Sequence, residues 1–98
     1  MRSYSVFLCL LVLFVSNSAM AEGARNVSLL ASSCAACHGT NGHSVGGTPS
    51  LAGLNKLYFI QQMKEFKSGK RSSTVMVSHA SGYTDEEIEL LASYFSKQ

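Results

Sequence analysis

Five adjacent residues in the first half of the chain have the types and spacing to bind a metal-containing group covalently. Cys34 and Cys37 lie three positions apart, so both thiols share one face of a helical turn, and His38 follows directly. Thiols placed in this way can form thioether bonds to the two vinyl groups of one porphyrin, while the imidazole ligates its iron. The Cys-x-x-Cys-His pattern therefore predicts one covalently bound haem c.

Two other kinds of site also use a Cys-x-x-Cys pair. A thioredoxin-like dithiol needs strands and crossover helices around it, and the sequence has no convincing strand-helix-strand pattern. A zinc site needs a second pair of ligands, for which the chain outside the motif offers only Cys9, His43 and His79. Both sites fit the sequence less well than a haem does.

The first residues have the pattern of a secretory signal peptide. Arg2 precedes an apolar run at residues 6–15 that contains Cys9, and an Ala-x-Ala sequence precedes the expected cleavage before Glu22. An uncleaved membrane anchor is the alternative, but a span needs about 20 apolar residues. We therefore expect a signal peptide at residues 1–21, one domain at residues 22–98, a periplasmic location and no transmembrane span in the mature chain.

Composition bounds the size of the core and the class of partner. The 98-residue chain has a formal net charge of +2 at pH 7, which gives no reason to expect nucleic-acid binding. After cleavage the domain is small for a self-sufficient hydrophobic core. A buried, covalently held porphyrin would complete that core, so we expect poor folding without haem.

Helical periodicity and capping residues predict helices and little sheet. The first helix begins near Asn26 and runs into the haem motif, and a Gly-rich loop follows as far as Gly53. The second helix is capped by Asn55, runs to about Ser68 and stops at Gly69. Met63 lies on the apolar face of this helix and is expected to fill the core.

The last helix has the clearest signals of its own. Thr84 and Glu87 have the spacing of a capping box, and Tyr83 and Ile88 occupy the positions of a hydrophobic staple. Its expected buried face consists of Ile88, Leu91, Ala92 and Phe95.

Several segments, in their order along the chain, resemble the small class I cytochromes c: the motif, Pro49-Ser50-Leu51, the Lys-Ser-Gly-Lys-Arg run and Met76. The Ser-Ser-Thr-Val-Met run and Gly82-Tyr83-Thr84 are most similar to a haem domain of the cytochrome subunit of flavocytochrome c sulfide dehydrogenase. That subunit can carry two haem domains, whereas this chain has one Cys-x-x-Cys-His motif. The resemblance covers residues 27–97 and implies an all-α class I cytochrome c fold, with three main helices and loops wrapped around one haem.

The resemblance also implies roles for individual residues. His38 and Met76, the latter in a loop between the second and last helices, would be the axial ligands of the iron. The carbonyl of Pro49 would accept the other ring N–H of His38, and Leu51 would pack on the haem. Arg71, and more weakly Lys70 and Tyr58, would bind the haem propionates. The alternative for Arg71 is a solvated basic loop.

A six-coordinate His/Met iron suits electron transfer, because little has to move when its charge changes. We therefore predict an exported monohaem electron carrier, not an enzyme on its own, that serves redox partner proteins such as a flavoprotein sulfide dehydrogenase. The alternative is a haem sensor or gas-binding domain, in which a weakly held Met76 dissociates to admit a small ligand. In either case His79 or, less readily, His43 could be the distal ligand in place of Met76. A basic cluster could steer an acidic partner: Lys56, Lys64, Lys67, Lys70 and Arg71.

Overall fold

The computed structural model describes the backbone of residues 18–98 and the side chains of residues 27–98. Most of the predicted signal peptide, with Arg2 and Cys9, lies outside the described residues, so its cleavage and the periplasmic location stay predictions. The described part holds four α-helices, one 3-10 turn and no strand: α1 Ser18–His38, the turn Thr40–Gly42, α2 Lys56–Ser68, α3 Met76–Ser81 and α4 Asp85–Ser96. None of these helices combines the length and the hydropathy that a membrane span requires.

Helix α1 begins earlier than the sequence predicts and ends at the haem motif. The expected start near Asn26 is wrong, because the backbone is already helical from Ser18 through a stretch rich in alanine, a strong helix former. At the other end Gly39 has a φ of 86°, and a Cβ there would clash with the carbonyl oxygen of His43. Only glycine fits this sharp exit, which turns the chain directly after His38.

The predicted ends of α2 are confirmed by their local contacts. The Oδ1 atom of Asn55 accepts a hydrogen bond of 3.1 Å from the backbone N–H of Tyr58. Gly69 adopts the left-handed conformation at the C-terminal end, and its N–H donates to the carbonyl of Phe66. Both ends are therefore set by residues that sequence reasoning can identify.

The capping box of α4 is also confirmed. The backbone N–H of Glu87 donates to Thr84 Oγ1 over 3.1 Å, and the backbone N–H of Thr84 donates to Glu87 Oε1 over 2.9 Å. Two of the orphan donors at the start of the helix are thereby satisfied.

Helix α3 is not predicted from the sequence. The resemblance predicts that Met76 lies in a loop, whereas the structure makes it the first residue of this six-residue helix. The side chain of Ser73 accepts a hydrogen bond of 2.9 Å from the N–H of Val77, and Ala80 is fully buried. Local capping and tertiary packing thus stabilise a helix too short to form by propensity alone.

Helix α4 forms the centre of the core. Its expected buried face is confirmed, and the ring of Phe95 stacks on Phe59 of α2 with centroids 5.8 Å apart. Helix α4 packs against α1 and α2, while α3 packs against α2. Helix α4 therefore joins the helix that ends at the haem motif to α2, and α2 in turn holds the helix that Met76 begins.

Candidate functional site

The imidazole of His38 is oriented by the loop that follows α1. Its Nδ1 atom lies 2.6 Å from the carbonyl oxygen of Pro49. Because a carbonyl can only accept a hydrogen bond, Nδ1 carries the proton and donates it. In the neutral ring Nε2 then keeps its lone pair, so this side chain is arranged as a nitrogen ligand for a metal.

The loop is held in place by backbone contacts to the 3-10 turn. The N–H groups of Leu51 and Ala52 both donate to the carbonyl of Gly42, over 2.8 and 3.1 Å. Leu51 is half-buried and packs against the core. These contacts fix the position of the Pro49 carbonyl relative to the end of α1.

The two cysteines of the motif differ in environment. Cys34 is 7% exposed, whereas Cys37 is exposed, and neither forms a disulfide. Burial raises the pKa of the Cys34 thiol, and hydrogen bonding to Ser33 and Tyr83 partly opposes that effect. Both cysteines lie on the helical turn that ends at His38, as two thioether bonds to one porphyrin edge would require.

The structure separates the two methionines that could ligate an iron. Met63 is 6% exposed within the core beside Phe59, which confirms its predicted packing role. Met76 begins α3, is half-buried and packs against the edge of that core. Met76 therefore remains the methionine that a bound group could reach.

The other two histidines lie at the surface. His43 follows the 3-10 turn and is exposed. His79 is exposed on α3, with its ring edge-on to Tyr83 and the two centroids 6.1 Å apart. Their suggested role as replacement ligands stays a prediction.

The residues expected near the propionates have partners within the chain. The guanidinium of Arg71 lies 4.7 Å from the ring centroid of Phe66, a cation–π distance. The Nζ atom of the exposed Lys70 lies 3.8 Å from Oε1 of the half-buried Glu65, and Tyr58 is about half exposed. Their propionate contacts stay predictions.

One contact at the site could not be predicted from the sequence. The hydroxyl of Tyr83 hydrogen-bonds the side chain of Ser33, directly before Cys34. The capping pattern identified Tyr83 only as a hydrophobic staple. Nothing local indicated its polar partner, because the two residues are 50 positions apart.

The donor set fits a haem c. The motif offers two unpaired thiols and an imidazole whose Nε2 is available for a metal, and Met76 offers a thioether at the edge of the core. Soft sulfur and imidazole donors suit iron in a porphyrin, and the thiols supply the covalent attachment.

Several known cytochromes are similar to this chain. The family model described as cytochrome c matches residues 24–98. The cytochrome subunit of sulfide dehydrogenase from Chlorobaculum tepidum is 51% identical over 67 residues, which are 68% of this chain and 61% of that subunit. Cytochrome c-553 from Helicobacter pylori is 33% identical over 91% of this chain and 92% of that protein.

A solved structure supports the fold as well. Cytochrome c4 from Acidithiobacillus ferrooxidans superposes with a TM-score of 0.64 and 37% identity, covering 66% of this chain and 38% of that one. The chain spans about three fifths of the Chlorobaculum subunit and about one third of cytochrome c4 from Pseudomonas aeruginosa. The chain belongs to the cytochrome c family of electron-transfer proteins.

Proposed function

We propose that the chain carries one haem c and passes single electrons through a His38/Met76-ligated iron, accepting them from a flavoprotein that oxidises sulfide. The observation that carries the proposal is the bond from His38 Nδ1 to the Pro49 carbonyl, which leaves Nε2 as the ligand atom. The similarity to a sulfide dehydrogenase cytochrome subunit supports the choice of partner.

Each residue has a defined part in this proposal. Cys34 and Cys37 would hold the group by thioether bonds, so it would not dissociate during turnover. His38 and Met76 would both ligate the iron and leave no position for an exchangeable ligand. When bound, haem c supplies an iron that gains and loses one electron, and a Met/His pair raises its reduction potential.

The hydrogen bond to Pro49 affects how the imidazole of His38 binds a metal. Donation from Nδ1 fixes the tautomer and increases the electron-donating strength of Nε2. The loop contacts to Gly42 keep this bond in one geometry. Little rearrangement is then needed when the charge of the iron changes.

Location is part of the proposal. The predicted signal peptide at residues 1–21 would deliver the chain to the periplasm, where haem c proteins find partners that are also exported. N-terminal sequencing of the protein from a periplasmic extract should begin at Glu22. A start at Met1 in the membrane fraction would instead indicate an uncleaved anchor.

The partner is tested with the purified holoprotein, a flavoprotein sulfide dehydrogenase and sulfide. We expect the haem to be reduced in a reaction that requires both the flavoprotein and sulfide, followed by visible absorption. A mitochondrial-type cytochrome c of similar potential serves as the control for unselective reduction. Equal rates for the two cytochromes, or no dependence on the flavoprotein, would contradict the partner proposed here.

A further inference from the structure

Tyr83 connects two parts of the site that are distant in sequence. It lies between α3 and α4, and its hydroxyl oxygen is 2.5 Å from the side-chain oxygen of Ser33 on α1. Ser33 directly precedes Cys34, and Tyr83 follows the short helix that Met76 begins. The contact therefore joins the segment of the expected distal ligand to the turn of the expected covalent attachment.

Either hydroxyl can donate in this hydrogen bond. When the proton of Ser33 is donated to the carbonyl of Leu30, which lies 3.0 Å away, Ser33 accepts from Tyr83. Burial raises the pKa of Tyr83, so its hydroxyl stays protonated and can act as donor or acceptor.

The rest of Tyr83 is fixed by α2 and α3. Lys67 of α2 donates to its carbonyl oxygen over 2.6 Å and lies 3.6 Å from Asp85 at the start of α4. The N–H of Tyr83 donates to the carbonyl of the fully buried Ala80 over 3.2 Å. A backbone anchored in this way holds the hydroxyl in position, and its bond to Ser33 acts between relatively rigid groups.

Helix α3 packs mainly against α2. The bond to Ser33 is thus a direct polar tie between the chain that follows Met76 and α1. Breaking it would leave the α2 contacts intact while loosening the segment relative to the haem motif.

We propose that Tyr83 is a positioning residue, which holds the Met76 segment against α1 through its hydrogen bond to Ser33 and so keeps Met76 on the iron. The proposal rests on the His/Met ligation proposed above. Its specific consequence is that an external ligand competes with Met76 more easily when the Tyr83 hydroxyl is removed.

The test titrates the ferric holoprotein with imidazole and follows the methionine-to-iron charge-transfer band at the red end of the visible spectrum. In Tyr83→Phe the apparent affinity for imidazole should rise about fivefold, which corresponds to ~1 kcal/mol, the net value of a typical hydrogen bond. Ser33→Ala should give a similar rise. The double variant should exceed Tyr83→Phe by little, because that substitution already removes the bond to Ser33, together with the contact of the hydroxyl with Cys34.

Tyr94→Phe is the matched control. The Tyr94 hydroxyl donates to Asn41 over 2.9 Å, so this variant also loses one tyrosine hydrogen bond between distant segments. It should lower the denaturant midpoint about as much as Tyr83→Phe does, while its imidazole affinity stays that of the wild type. If a general loss of stability caused the effect, the imidazole affinity would rise equally in both variants.

The outcomes separate the two proposals. A wild-type protein without the charge-transfer band would overturn the His/Met ligation itself. A wild-type band combined with an unchanged imidazole affinity in Tyr83→Phe would overturn the role of Tyr83 alone. Additive effects of the Ser33 and Tyr83 substitutions would show that they act through separate contacts.

Discussion

The Nδ1 atom of His38 donates a hydrogen bond to the carbonyl oxygen of Pro49 over 2.6 Å, joining the end of α1 to the loop that precedes α2. The bond crosses 11 positions of sequence. It orients the imidazole by a main-chain atom, so its strength depends on the loop backbone and not on a second side chain. The conformation of this loop therefore affects how strongly His38 can donate to a metal.

Loosening this loop should change the reduction potential. In Pro49→Ala the backbone gains freedom, the bond weakens and Nε2 donates less electron density. A weaker donor stabilises the ferric state less, and the ferrous state is affected to a smaller extent. We therefore expect the reduction potential to rise by on the order of tens of millivolts. For one electron, about 59 mV corresponds to a tenfold change in the equilibrium constant. Potentiometric titration measures it.

Gly47→Ala is the control for Pro49→Ala, because it lies in the same loop and its added Cβ would meet nothing within 4 Å. Its potential should equal that of the wild type. Equal potentials for Pro49→Ala and the wild type would show that Pro49 does not set the donor strength of His38.

Gly42 should be intolerant of any side chain. Its φ is 78°, and an added Cβ would lie 2.8 Å from both Phe95 Cδ1 and the backbone nitrogen of Ala52. We expect Gly42→Ala to lower the free energy of unfolding by roughly 1–3 kcal/mol through overpacking and backbone strain. Chemical denaturation of the holoprotein measures this loss.

Gly46→Ala provides the comparison for Gly42. Its Cβ would meet nothing within 4 Å, and its backbone lies outside the left-handed region. The free energy of unfolding should stay equal or rise slightly as the unfolded chain loses freedom. If the two alanine variants were equally stable, the packing described around Gly42 would be wrong.

Both cysteines should bond covalently to the haem. Cys34→Ser and Cys37→Ser should each keep the group through the remaining thioether, whereas the double variant should release it into acidified organic solvent. Mass spectrometry of the denatured wild-type protein should show the mass of the chain plus one haem. A double variant that retains its haem after denaturation would rule out attachment at these thiols.

The residues of the basic cluster should contribute unequally to the electrostatic attraction of an acidic partner. Lys67 and Lys70 are in ion pairs with Asp85 and Glu65, so part of their charge is already balanced. Lys64 of α2 is exposed and is in neither of these pairs. Lys64→Glu should slow reduction by an acidic partner about two- to fivefold at low salt, and the effect should fade at high salt.

Lys97→Glu is the control for Lys64→Glu, because it changes the net charge equally at a position outside the cluster. Stopped-flow rates at several ionic strengths compare the two variants. Equal slowing by both would mean that net charge, and not the cluster, governs the encounter.

Local chemistry made α2 and α4 predictable. Asn55, Gly69 and the Thr84 capping box act within a few residues, so the sequence contains the whole signal. Helix α3 escaped prediction because its N-cap residue, Val75, forms no side-chain cap, the hydrogen bond from Val77 goes to Ser73 instead, and the helix also depends on the burial of Ala80. Such burial is a property of the assembled fold.

The candidate site likewise has one part that the sequence predicts and one part that it does not. The motif from Cys34 to His38 is local and could be recognised as a unit. The bond between Ser33 and Tyr83 could not, because it needs two helices packed in one particular orientation. Long-range hydrogen bonds of this kind depend on tertiary structure and leave no periodic pattern.

The visible spectrum of the ferric protein tests the central proposal, a closed His38/Met76 site, most directly. Met76→Leu and Met63→Leu make the same volume-conserving change, which a core tolerates at a cost of about 1.5 kcal/mol or less. The ferric wild type and ferric Met63→Leu should show the methionine-to-iron charge-transfer band. In the ferrous state at neutral pH, neither should bind carbon monoxide rapidly. Met76→Leu should lose the band and bind carbon monoxide rapidly. A band that survives in Met76→Leu, or rapid carbon monoxide binding by the wild type as expected of a gas sensor, would contradict the proposal.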